Sequence, residues 1–346
     1  MIRMPRLVAA LASGALALGL TVGATGTASA APADRAGNWL EKQLTGGLIH
    51  NDVYDFDDYG LTADTGMALV AVGGHRKAVK QVSRALATNV DSWTTGVDFG
   101  SSDVYAGSVA KALVFAQTAG ANPKDFGDVN LVKRLNGRIS SEKGTVGRLR
   151  DKTSETDYAN TLGQAYAAAG LTNAGSKKAK AAVRFLLAQQ CEAGFFRLYF
   201  ADADASDQTC DGAAKKKDRA PDTDATAIAV VGLQSIDKPS AQVRKSIASA
   251  LAWLARTQAR DGGFGGGPST KAPNANSTGL AAWALAQGGE CGAAKQAAAW
   301  VRKLQRKNGA VAYDKAALKA GVSADTLDQW RRSTAQAAPG LGRPGC

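Results

Sequence analysis

The 346-residue chain predicts an all-α protein, an α6/α6 toroid in which six helical hairpins close into an inner and an outer ring. Two self-similar elements that recur at intervals of roughly 45 to 65 residues predict it. The composition agrees: 45% hydrophobic and 21% charged residues, with only 9 Pro against 39 Gly, describe an ordinary globular chain rather than a linker-type one.

The first element reads aromatic, aliphatic, three residues, Gln, three residues, Gly. It occurs as Phe185-Leu186 with Gln190 and Gly194, as Trp253-Leu254 with Gln258 and Gly262, and as Trp300-Val301 with Gln305 and Gly309. A shifted copy is Trp39-Leu40 with Gln43 and Gly47, and a degenerate one is Leu131-Val132 with Asn136. These segments are amphipathic. From Val243 to Gln258, charges occupy one face and Ile247, Leu251 and Leu254 the other, as an outer helix requires. The Gly supplies a left-handed backbone position where the helix ends, and the Gln side chain is placed to bond loop backbone groups.

The second element is a Thr or Ser opening a helical run of small residues, at Thr65, Ser108, Thr161, Thr226, Thr278 and Thr334. Runs rich in Ala, Gly, Val and Leu on every side suit helices enclosed by neighbours. In the last copy Pro339 is expected to end or kink the helix. Asp, Asn and Ser just ahead of these runs read as N-caps.

The N-terminus has the order of a secretory signal peptide over residues 1–30: Arg3 and Arg6, an apolar stretch from Leu7 to about Val22, then Ala28-Ser29-Ala30. No later stretch approaches the roughly 20 apolar residues that span a bilayer, so the mature chain, residues 31–346, is expected to be a single secreted toroid domain. Export makes Cys191, Cys210, Cys291 and Cys346 a disulfide question. Of three pairings, Cys191–Cys210 and Cys291–Cys346 are favoured because each closes a segment free of other Cys. The first would close an insertion near 191–221. The formal charge is +12, and about +10 without the leader. That excess allows attraction to anionic cell-wall polymers, while no nucleic-acid motif is present.

The aromatic-aliphatic-Gln-Gly pattern, with Phe196 and Phe264 closing two copies, resembles the repeat of squalene cyclases. The resemblance runs from about Trp39 to Gly340 and implies the α/α toroid of terpenoid cyclases and protein prenyltransferase β subunits. Class II terpenoid cyclases carry Asp-x-Asp-Asp ahead of an inner helix, and its middle Asp protonates an alkene. Pro221-Asp222-Thr223-Asp224-Ala225 stands at the matching place, so Asp224 would be the acid and Asp222 its partner. Ala225 replaces the last carboxylate, which weakens that chemistry. Asp55-Phe56-Asp57-Asp58 fits the letters but lies further from its helix. The resemblance also implies a prenyltransferase zinc site, yet the only His residues are His50 and His75, and no three-ligand set can be assigned. No metal or cofactor is therefore expected. The loop Asp202 to Asp207, with Asp211, lacks the Gly and the final acid of a calcium loop, where Ala213 stands. Thioester and cobalamin-carrier readings lack their motif or their extra domain.

The leading expectation is a binding or surface-interaction module without retained catalysis. The alternative is an enzyme of terpenoid cyclase or polysaccharide-cleaving type with Asp224 as general acid. The inner-helix starts are expected to converge on one mouth, lined by Tyr105, Asp157, Tyr158, Asn274, Asn276 and Trp330 beside Asp222 and Asp224. Polar groups next to aromatics suit a small molecule, glycan or peptide. A deep aromatic cavity reaching Asp224 would favour the enzyme, and an Ala-filled centre a scaffold.

Overall fold

The computed structural model describes residues 31–213, 215–342 and 346. The signal-peptide expectation falls on residues 1–30, outside the described ones. The described chain is one compact unit.

Fourteen helices follow in order among the described residues: α1 (Pro32–Glu41), α2 (Tyr59–Val72), α3 (Arg76–Thr88), α4 (Val90–Thr94), α5 (Ala106–Thr118), α6 (Leu131–Asn136), α7 (Thr161–Asn173), α8 (Ala179–Ala188), α9 (Thr223–Gln234), α10 (Ala241–Thr257), α11 (Ala275–Gln287), α12 (Cys291–Arg302), α13 (Lys315–Ala320) and α14 (Leu327–Gly342). Two short strands, β1 (His50–Asn51) and β2 (Phe56–Asp57), form an antiparallel hairpin before α2. Among the described residues no helix is long and apolar enough to cross a membrane.

The small-residue runs make the inner ring. Helix α2 packs on α5, α5 on α7, α7 on α9, α9 on α11, α11 on α14, and α14 back on α2. Small side chains permit the close approach. A β-carbon on Gly279 of α11 would meet the backbone of α14 at Ala337, and one on Gly340 would lie 2.6 Å from the Gly279 carbonyl. That packing also carries α14 through Pro339, which lies inside the helix rather than ending it. The amphipathic helices α1, α3, α8, α10 and α12, with the short α6, lie outside. In α10, Val243, Ala250, Leu251, Trp253 and Leu254 are buried.

One bonding pattern joins successive outer helices. Gln258 Nε2 donates to the carbonyls of Gly262 and Ala293, each at 3.0 Å. Gln190 does the same with Gly194 and Ser246, and Gln305 with Gly309 and Pro32. Each Gln thus stitches its own turn to the next outer helix, satisfying carbonyls that would otherwise be unpaired. A second bond ties that turn to the inner ring. The hydroxyl of Thr226 accepts from Phe196 N, that of Thr278 from Phe264 N and that of Thr334 from Val311 N, all at 2.9 Å. In α2 this position is Thr62, bonded to Ile49 N at 2.8 Å, not Thr65. In α7 Gln164 replaces it, bonding Leu149 N.

The cysteines pair as Cys191–Cys210 and Cys291–Cys346. The first disulfide closes a loop held by two buried guanidinium groups. Arg197 donates to Gln189 and to the carbonyls of Gln208 and Asp218, while Arg148 donates to Ala201 O and Gln208 Oε1 and lies 5.0 Å over the Phe200 ring.

Candidate functional site: an axial cavity and the axial carboxylates

Residues four apart on a helix share a face, and in the inner helices one such face points along the ring axis. Its C-terminal half encloses a cavity of about 730 Å³. Every inner helix contributes: Met67 and Val70 from α2, Val114 from α5, Tyr166 and Ala169 from α7, Ile228 and Val231 from α9, Leu280 and Trp283 from α11, Ala335 and Pro339 from α14. That volume lies within the range of small-molecule sites. The walls are mostly apolar, with the carboxamides Gln117, Asn173, Gln234 and Gln287 at the helix ends and Gln336 further inside α14. Because the C-terminal halves of all the inner helices meet here, those helices run in parallel, and this end of the ring is the one their C-termini share.

The floor is one turn from the helix starts. Lys111 Nζ sits 2.7 Å from Asp64 Oδ1 and 3.0 Å from the Gly60 carbonyl. Tyr166 lies close enough to Asp64 for the carboxylate and, above all, burial to push its phenol well above the usual range. Ile228 and Leu280 complete this layer.

Below the floor, at the opposite end, lie Asp224 and Asn276, each four residues before a cavity-lining residue (Ile228 and Leu280). Neither lines the cavity. Burial pushes Asp224 up to about 6, with the Asp222 charge adding to it and the Ser277 hydroxyl opposing. Asp224 Oδ1 and Asn276 Oδ1 are buried without a hydrogen-bond partner. Tyr313 stands nearby, its phenol raised by burial and by Asp224. Asp222 is 4% exposed and caps α9, accepting from Ala225 N at 2.8 Å; burial raises it too. The run Gly265-Gly266-Gly267 covers this pair. A β-carbon at Gly266 would lie 3.1 Å from Asp224 Oδ2, and one at Gly267 would collide with Asp222 Oδ2.

The remaining sequence candidates are spread over this end. Asn274 caps α11 through Ser277 N at 3.0 Å. Tyr105 precedes α5, whose first N–H, on Ala106, is bonded by Asp151 Oδ1 at 2.6 Å. Asp157 accepts from the backbone of Asp151 and Ala159, both at 3.0 Å, and shapes a turn. Tyr158 is 77% exposed, and Trp330 is entirely buried in the core beneath Arg306. Asp58, from the second acidic motif, caps α2 and pairs with Arg332 at 2.8 Å. In the Asp202–Asp211 loop, Asp207 accepts from the Thr209 backbone and hydroxyl. Among the described residues no cluster of three His, Cys, Asp or Glu is arranged to hold a metal ion.

The polar mouth expected around the helix starts is thus not where the cavity lies. Loops of up to about thirty residues enter the inner helices at that end, where the glycine run lies against Asp222 and Asp224, whereas shorter connections leave the helices at the other end. Sequence reasoning missed Trp283 and Tyr166 as cavity residues, although a signal was present: 166, 169 and 173, 228, 231 and 235, and 280, 283 and 287 share one helical stripe per helix.

No family model matches the sequence, and no curated protein matches it. Solved structures do match the fold. The chain is similar to the type II terpene cyclase MstE from Scytonema in its apo form, with TM-score 0.64 and 17% identity, covering 90% of this chain and 96% of that one. A protein from Actinoplanes matches at TM-score 0.63 and 16% identity, over 90% and 98% of the two chains. A wild-type glycosidase matches at TM-score 0.56 and 14% identity, over 90% and 96%. The chain has the α/α-toroid fold of terpenoid cyclase-like proteins.

Proposed function

We propose that the protein is an exported ligand-binding module whose ring holds an amphipathic small molecule. The observation that carries this reading is the apolar cavity of about 730 Å³ lined by all the inner helices, which Asp224 does not line. The apolar part of the ligand fills the cavity, and its polar end meets the carboxamides of Gln117, Gln287 and Gln336. The similar toroid MstE takes geranylgeranyl dihydroxybenzoate as substrate, an apolar chain with a polar end. Two disulfides and the leader-like residues 1–30 support export.

A second reading rests on Asp224. A carboxyl protonated to about pH 6, with a buried unpartnered oxygen, is fitted to act as a general acid on an isoprenoid or a polysaccharide.

Titration with Nile red, an uncharged solvatochromic dye, separates the two. Binding with a blue shift, lost in Val231→Trp and kept in Asp224→Asn, is the expected result. Dye binding that ignores Val231→Trp overturns the cavity assignment. Turnover of an isoprenoid or polysaccharide abolished by Asp224→Asn would replace the module with the enzyme.

A further inference from the structure

The two ends of the ring differ in charge. The connections leaving the inner helices, with the first turns of the outer helices they enter (73–80, 119–134, 174–180, 235–245 and 288–295), hold thirteen Lys and Arg against four Asp and Glu. The loops entering the inner helices (42–58, 95–105, 137–160, 189–222, 258–274 and 303–326) hold 18 against 20. An excess of about +9 thus sits at the end where the cavity lies, nearly the whole charge of the mature chain. Lys77, Lys124, Lys177, Lys180, Lys238 and Lys295 are all exposed. Among the described residues none of them forms an ion pair, in contrast to Lys215 at the other end, which pairs with Asp202.

We propose that this basic end is a docking surface for a flexible polymer carrying regularly spaced anionic groups. The lysines come from five successive connections around the ring, so no single phosphate or carboxylate can reach several of them, whereas a chain of anions can. The same end speaks against a lipid leaflet. A membrane-docking face adds exposed Trp, Phe or Leu to its Lys and Arg. Here the exposed aromatics among the described residues, Tyr54, Phe56, Phe99, Tyr158 and Tyr199, are all in the connections of the opposite end. Attraction of this kind is non-specific in sequence, releases counterions and falls steeply with salt. It would hold the ring with its aromatic end turned away from the polymer.

The experiment measures binding of the mature protein to long-chain inorganic polyphosphate at low and high salt, with phosphatidylglycerol vesicles in parallel. A triple variant Lys77→Glu, Lys177→Glu, Lys238→Glu is compared with Lys215→Glu, Lys216→Glu, Lys217→Glu, which changes the net charge equally at the other end. The first variant is expected to weaken polyphosphate binding about tenfold or more and flatten its salt dependence, and the second to change it less than about twofold. The corresponding Lys→Gln variants give the same ordering should the reversals lower the melting temperature. Equal losses from both ends would reduce the effect to net charge and overturn the proposal. So would no loss from the first variant, or binding to the vesicles without binding to polyphosphate.

Discussion

Lys111 of α5 and Asp64 of α2 meet 2.7 Å apart between two neighbouring inner helices, with Asp64 lining the apolar cavity at its end nearer the helix starts. Both side chains are less than one-fifth exposed. Removing one partner leaves the other charge facing apolar walls. Lys111→Met and Asp64→Asn are each expected to cost about 2–3 kcal/mol of stability, and the double variant less than their sum. Urea unfolding of the three variants measures the coupling. Strictly additive losses would show that the pair does not act as a unit.

Gly262 has φ +94°, and a β-carbon there would lie 2.6 Å from the Gln296 carbonyl of the next outer helix. Gly262→Ala therefore meets both a strained backbone and a fixed neighbour, with an expected loss of about 2–4 kcal/mol. Gln258→Ala removes two bonds and orphans two carbonyls, for about 1–3 kcal/mol. Because Gln190 and Gln305 occupy the same geometry, their Ala variants should fall in the same range by thermal or urea unfolding.

Asp224 stands at about 6 against 3.8 for an ordinary carboxyl, so the folded state holds this proton more tightly than the unfolded chain. Its contribution favours folding at low pH and is lost as pH rises from the unfolded value through about 6, an effect of about 3 kcal/mol at most. Asp224→Asn removes the titration. The variant should gain stability relative to the parent by about 2–3 kcal/mol between about pH 4 and about pH 7.5. A constant difference across that range would mean that Asp224 titrates as an exposed carboxyl.

The Cys291–Cys346 bridge closes a separation of 55 residues and fixes the chain end beside the start of α12. Loop-closure entropy makes it worth about 4 kcal/mol, and the 19-residue Cys191–Cys210 loop about 3 kcal/mol. Cys291→Ser with Cys346→Ser, and reductant on the parent protein, should lower the melting temperature in calorimetry. An unchanged value in both would remove the structural role.

The hairpin grammar was open to reading in one dimension, because local chemistry dictates it. Gln four residues before a Gly, a Thr opening a run of Ala, and Asp or Asn one turn ahead each satisfy backbone groups within or next to their own helix. Even there the copy in α2 shifted, since Thr62 and not Thr65 reaches the Ile49 N–H. The capping roles of Asp222 and Asn274 were equally legible, as was the choice of disulfide partners. Which end of the ring would be filled was not. Tyr105, Asp157 and Tyr158 stand near helix starts as expected, yet loop folding turns them to caps, turns and solvent, and Trp330 goes into the core. The cavity arises only when six axis-facing stripes meet around a closed ring, and void volume is a property of that closure rather than of any one helix. Charge segregation follows the same logic: net charge belongs to the composition, but its placement at one end depends on parallel inner helices bringing five distant connections together.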